Sequence, residues 1–336
     1  MADKEEGPTV KDKPGPSKLS IYTTTIHDGH GNGPVDTGIY FPDAYSPSGS
    51  LDLLVYFHGL ADRCDGDGTA GIQSLWKNAN FPLRKLVNDS KKNVVLVAPR
   101  LQLDNGLQLG MDSEQFLKQV VALIAKRVTK DPFSWHGADQ TSAPNVDPVI
   151  TIRKLILAAH SGGGTPMRRM ARALANSKVA TVRECWGFDS MYNGPKEWVE
   201  WAAGGGKYFL FYTDQGSIDT EDYHYNVTTL QKLLAKAKDA TSGVAQTIAH
   251  VFANSLAQAK ARSRAKQEQV RKEQEKRDHE AALAALAAPN IVVTYANDPR
   301  NAAKGFTPPS GRTFDKSTPK HCKVPQTYWA NMMDSF

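Results

Sequence analysis

Cysteine is scarce in this chain: there are three in 336 residues. Cys64, Cys185 and Cys322 are too few and too scattered for a disulfide framework, and no Cys-x-x-Cys pair offers a metal site. Three reduced thiols are expected, with one disulfide plus a free thiol as the alternative. Long apolar runs are missing as well. No stretch approaches the roughly 18–20 residues of a membrane span, and Met1-Ala2-Asp3-Lys4-Glu5-Glu6 has no apolar segment of a secretory signal. The expectation is a soluble protein, cytoplasmic or released by a route that needs no N-terminal signal. Blocks of one charge are also lacking. The formal net charge is +6, but basic side chains are interspersed with acidic ones, so no nucleic-acid stripe is present. The glycine run Gly162-Gly163-Gly164 lacks the Lys-Ser/Thr of a phosphate-binding P-loop, and no second-strand acid suits a ribose.

What is there is an ordinary apolar content of 40 %, enough for one large domain. Residues 1–17 are charged and rich in Pro and Gly, and read as a disordered tail; the domain is expected to run from 18 to 336. Leu19–Ile26 and Thr37–Phe41, joined by Asp28-Gly29-His30-Gly31-Asn32-Gly33, suggest an antiparallel entry to a sheet. Short apolar runs then recur at Leu51–Phe57, Val94–Ala98, Leu155–Ala159, Val182–Phe188, Tyr208–Tyr212 and Ile291–Tyr295. Runs apolar on both faces suit buried parallel strands. Helical periodicity fills two of the gaps, at Phe116, Val120, Val121, Ile124 and Ala125 and at Met167, Met170, Ala171 and Leu174. The expected fold is α/β, a mostly parallel sheet flanked by helices. Residues 229–288 stand apart: Ala, Lys, Gln, Glu and Arg dominate, and pairs such as Glu268–Lys272 sit at i,i+4. This reads as a long solvated helix inserted before the last strand, a candidate surface for a protein partner or for self-association. A sustained a/d heptad is absent, so a coiled coil is the weaker reading.

Chemistry concentrates in one turn. Lys154-Leu155-Ile156-Leu157-Ala158-Ala159 leads straight into His160-Ser161-Gly162-Gly163-Gly164, and a helix follows. A nucleophile elbow needs this context: a serine on a tight strand-to-helix turn, with small neighbours so that strand and helix can approach. The helix N-terminus aims free N–H groups at the reacting centre, and the N–H of Gly162 is a candidate oxyanion donor. A Gly-rich βα loop without chemistry has the same letters, so partners must be sought. A serine needs a base to take its proton. Of nine histidines, His321 is the only one after Ile291–Tyr295, on a loop ahead of an apolar helix. His160 is the rival but adjoins the serine, and His279 lies on the solvated helix. Two acids stand at strand ends, Asp189 after Cys185-Trp186-Gly187-Phe188 and Asp214 after Tyr208–Thr213. Leu51–Phe57 ends in His58-Gly59-Leu60, a sharp bend permitted by Gly59.

The order His-Gly, Ser elbow, Asp, His across 51–336 resembles the α/β-hydrolase superfamily, and within it the serine esterases and lipases. Ala159-His160-Ser161-Gly162-Gly163, Phe188-Asp189-Ser190-Met191-Tyr192-Asn193-Gly194 and His321-Cys322-Lys323-Val324-Pro325 are similar to segments of a poorly characterised bacterial and phage-associated group. The resemblance implies that Leu60, or Ala61, supplies the second oxyanion N–H beside Gly59. It favours Asp189 as the acid, although Asn193 departs from that group's Asp-x-x-Tyr-Gly. The expected activity is hydrolysis of an ester, or of an amide, through Ser161, His321 and one of Asp189 and Asp214, with no metal or organic cofactor. The alternative is an inactive hydrolase-fold protein that binds a partner through 229–288. Trp76, Tyr192, Trp198 and Trp201 are candidates for an acyl or glycan pocket, with core packing as the competing reading. Asp112, Asp139 and Asp147 read as surface residues.

Overall fold

Strands that are covered on both faces must divide their side chains between two cores, and in this chain the division follows the two-residue strand period. The computed structural model describes residues 22–27, 34–46, 49–59, 83–101, 112–130, 150–192, 194–213, 226–235, 288–295 and 320–335; the side chains of 22–27, 34–36, 126–130, 288, 295, 320–323, 326 and 327 lie outside what is described. The strands are β1 (Tyr22–His27), β2 (Pro34–Tyr40), β3 (Ser50–Phe57), β4 (Val95–Pro99), β5 (Thr151–His160), β6 (Val182–Phe188), β7 (Lys207–Tyr212) and β8 (Ile291–Tyr295). They form an eight-stranded sheet in the order β1-β2-β4-β3-β5-β6-β7-β8. The β1–β2 and β2–β4 pairs are antiparallel, and every pair from β4–β3 to β7–β8 is parallel.

Leu53, Val55, Phe57, Val95, Val97, Leu155, Leu157 and Ala159 enter one core. Their neighbours Leu54, Tyr56, Leu96, Ala98, Ile156 and Ala158 enter the other. Helices close both sides. Against the first core lie α2 (Ser113–Lys130) through Phe116 and Val120, α3 (Gly164–Ala173) through Met167 and Met170, and α4 (Pro195–Ala203) through Trp198 and Val199. Against the second lie α1 (Leu83–Asp89) through Leu86 and Val87, and the helix Lys320–Asp334, here α5, through Tyr328, Trp329 and Met332. A sheet in this order, antiparallel at one edge, parallel thereafter and covered on both faces, is the α/β-hydrolase fold.

Three departures from the expected elements bear on the central sheet and the helices around it. First, β5 begins at Thr151, four residues before its apolar run, because Ser50 and Leu51 continue the pairing to Thr151 and Ile152. The charges this brings into the sheet are matched: Arg153 donates from Nε and Nη2 to Asp52 at 2.8 and 2.5 Å, and Lys154 lies 3.5 Å from Glu184. Second, α1 and α4 occupy gaps that had no assigned periodicity. Pro195 opens α4 directly after Gly194, whose φ of 72° turns the chain into it. Third, residues 226–235 are helical, so the helix between β7 and β8 starts before Thr229. Residues 236–287, which hold most of the surface expected for a partner or for self-association, lie outside the described residues. So does the tail 1–17.

Among the described residues no helix is long and apolar enough to cross a membrane. Cys185 is a free thiol buried in β6, and burial together with the charge of Glu184 pushes its pKa well up, so it is an inert part of the core. Cys64 and the Cys322 side chain lie outside the described residues.

Candidate active site at the C-terminal ends of β5, β6 and β7

The end of β5 is where the backbone becomes strained. His160 is still extended, at φ −116° and ψ 140°. Ser161 then takes φ 53°, a left-handed conformation costly for a side chain with a Cβ, and the 3-10 turn Ser161–Gly163 feeds α3. Such strain persists only where surrounding packing imposes it. Here the packing is backbone on backbone. A Cβ on Gly163 would strike the carbonyl oxygen of Phe57 and lie 2.6 Å from that of His58, and one on Gly164 would strike the carbonyl oxygen of Ser190. A Cβ on Gly59 would lie 2.7 Å from Ser161 Cβ. The elbow is therefore wedged between the end of β3 and the loop after β6, and His58-Gly59 and Ser161, a hundred residues apart, are in contact.

His58 ties this corner together. It is buried, and its Nε2 accepts the Leu101 N–H at 2.9 Å. The proton therefore sits on Nδ1, which donates to the Gly59 carbonyl at 2.6 Å. A neutral imidazole spanning the exits of β3 and β4 sets the bend at Gly59, so its part is structural. His58→Leu keeps the volume and leaves the buried Leu101 N–H unpaired. A loss of about 1–3 kcal/mol in urea denaturation is expected; an unchanged midpoint would contradict this role. Leu60 and Ala61, the expected second oxyanion donors, lie outside the described residues.

Asp189 is the other strained residue. Its φ is 51°, it is fully buried, and it follows directly on the β5–β6 register pair His160↔Phe188 just as Ser161 does. Its N–H donates to the Phe211 carbonyl at 2.6 Å. Its Oδ1 accepts the Thr213 N–H at 3.0 Å, and its Oδ2 accepts the Thr213 hydroxyl at 2.8 Å. Thr213 was not singled out in the sequence, because a threonine at a strand end is too common to mark a site. The contact of Gly164 with Ser190 has no mark in the sequence for a similar reason: it joins two turns that no local pattern links.

The other expected members separate as follows. Asp214 follows Thr213 and lies outside the described residues. His321 was expected on a loop; its backbone instead belongs to the first turn of α5, and its side chain lies outside the described set. The helix begins earlier than its apolar face, which starts at Val324. His160 is fully buried, and its Nδ1 would stand 3.3 Å from a Cβ on Gly59, so the ring packs against the β3 bend. His279 lies outside the described residues.

The aromatic residues considered for a pocket are mostly core. Trp198 is 2 % exposed and stacks on Tyr208 at 4.1 Å, and Trp201 meets Trp198 edge-on at 5.7 Å. Positions 198, 199 and 202 form the sheet-facing stripe of α4, which puts Trp198 inside. Trp201 covers Gly206, and Tyr192 packs on the same core. Trp198→Ala should cost about 3–5 kcal/mol by thermal or chemical denaturation, while a pocket role would show as a KM change at wild-type stability. Trp76 lies outside the described residues. Asp112 accepts the Gln115 N–H at 2.9 Å and caps α2 at the surface, as expected; Asp139 and Asp147 lie outside the described residues.

A groove of about 550 Å³ lined by Asp52, Arg153, Lys154, Arg183, Glu184 and Lys207 lies at the opposite end of the strands. Seven residue steps along β5 lead from Lys154 to Ser161, roughly 23 Å of extended chain. That groove is no part of the site at Ser161.

No protein-family model matches the chain, and no curated protein matches it. Solved structures do. An α/β serine hydrolase without lid from Xanthomonas campestris is 14 % identical, with 62 % of this chain and 79 % of that one covered and a TM-score of 0.32. A thermostable esterase is 11 % identical over 94 % of this chain and 60 % of its own, with a TM-score of 0.42. EstE1, a thermophilic carboxylesterase from a metagenomic library, is 16 % identical over 62 % and 75 %, with a TM-score of 0.34. The fold assignment stands on the strand order rather than on these likenesses.

Proposed function

We propose that this chain is a serine hydrolase that cleaves carboxylic esters, with amides as the second substrate class. The observation that carries the reading is Ser161 at φ 53° on the β5–α3 turn, pressed against Gly59, with Gly163 of the same turn seated on the carbonyls of Phe57 and His58. A strained non-glycine residue at the C-terminal end of a central parallel strand is where this fold exposes a nucleophile. In the proposed cycle His321 takes the Ser161 hydroxyl proton as Oγ attacks the acyl carbon. One of Asp189 and Asp214 holds the imidazole and balances its positive charge. The N–H groups of Gly162 and Leu60 receive the oxyanion, with Gly59 allowing the bend that presents Leu60. Collapse expels the alcohol, which takes the proton from the imidazolium. Water, deprotonated by the same imidazole, then frees the acid and regenerates Ser161. The cycle needs no metal or organic cofactor.

Labelling the purified protein with a fluorophosphonate and mapping the modified peptide tests this directly. Modification at Ser161, together with turnover of short-chain p-nitrophenyl esters, is expected. Wild-type protein that neither labels nor turns over would end the reading.

A further inference from the structure

We infer that the acid of the triad is Asp189 rather than Asp214, and that Thr213 is its positioning residue; this rests on the hydrolase reading above. A fully buried carboxylate is costly unless several donors meet it. Thr213 supplies two from one residue, its N–H to Oδ1 at 3.0 Å and its hydroxyl to Oδ2 at 2.8 Å. Two bonds from one residue, one on each oxygen, fix the plane of the carboxylate. A carboxylate oxygen can accept more than one donor, an imidazole N–H among them.

The backbone agrees with this assignment. Asp189 and Ser161 follow paired residues of adjacent parallel strands, and both are in the left-handed region, at φ 51° and 53°. An aspartate tolerates that conformation better than most residues. The Asp189 N–H bond to Phe211 at 2.6 Å and the Thr213 bonds clamp the ends of β6 and β7 together. The loop thus holds a carboxylate one strand away from the nucleophile.

The competing possibility is a purely structural staple between β6 and β7, and kinetics separate the two. Wild-type labelling at Ser161 is established first; if it fails, the hydrolase reading and this inference fall together. With labelling in hand, Asp189→Asn and Asp214→Asn are compared on a p-nitrophenyl ester. Asp189→Asn should lower kcat by about 10³–10⁴-fold at nearly constant KM, with Asp214→Asn within about threefold of wild type. The reverse ranking would overturn the inference while leaving the hydrolase reading intact. Should Asp189→Asn fail to fold, the Thr213 pair decides. Thr213→Val removes only the hydroxyl donor and should lower kcat about 10-fold or more at unchanged KM, the weight of a hydrogen bond to a charged group. Thr213→Ser should restore kcat. A Thr213→Val enzyme that loses thermal stability yet keeps wild-type kcat when folded would show a staple and reject the positioning role.

Discussion

Ser161→Ala is expected to abolish fluorophosphonate labelling and to reduce ester turnover by about 10⁴–10⁶-fold. Removing the nucleophile of a serine triad costs as much as removing the whole triad, because base and acid act only through it. The remaining rate comes from oxyanion donors and substrate binding, so it should not vanish. The same variant should keep the fold. Ser161 is 5 % exposed and loses one oxygen, while the φ of 53° suits alanine no worse than serine. Ser161→Gly carries the contrast further. Glycine adopts that φ without penalty, so the variant should be inactive yet more stable than Ser161→Ala by about 1 kcal/mol. Paired measurements of turnover and denaturation midpoint check both halves. An Ser161→Ala protein with wild-type turnover would place the chemistry elsewhere.

Gly163→Ala should be among the most damaging single methyl groups that can be added at the described glycines. Its Cβ would meet two carbonyl oxygens of β3's end, Phe57 and His58. Neither is the tip of a flexible side chain, so the elbow or the strand must move. Overpacking against backbone at a fully enclosed turn should cost about 3 kcal/mol or more. It should also displace Ser161 from Gly59, lowering kcat in whatever folded protein remains. Gly49→Ala is the control, since nothing lies within 4 Å of its Cβ and its φ is not left-handed; it should change stability by less than about 0.5 kcal/mol. Equal stability of Gly163→Ala and wild type in urea would refute the packing described for the elbow.

Both experiments bear on features of unequal visibility in the chain itself. The strands from Val182–Phe188 to Ile291–Tyr295 were legible because a mostly buried parallel strand writes a short, largely apolar run, interrupted in β6 only by Arg183 and Glu184. The elbow was legible because its letters are contiguous: strand, His160-Ser161-Gly162-Gly163, helix. Helix α4 was not, since Trp198 and Trp201 carry no local mark that distinguishes a core aromatic from a pocket lining. The early start of β5 was hidden too, because Arg153 and Lys154 look like loop residues until Asp52 and Glu184 are placed opposite them.

The amino-acid order alone therefore settled the α/β layering and nominated Ser161, because both are encoded within spans of ten residues or so. Tertiary structure decided what holds Ser161 and what meets Asp189. Gly163 rests on Phe57 across 106 positions, and Thr213 reaches Asp189 across 24. Those contacts exist only once β3, β5, β6 and β7 lie side by side. No local propensity reports them, because the energy that fixes each one belongs to a neighbour brought close by the sheet.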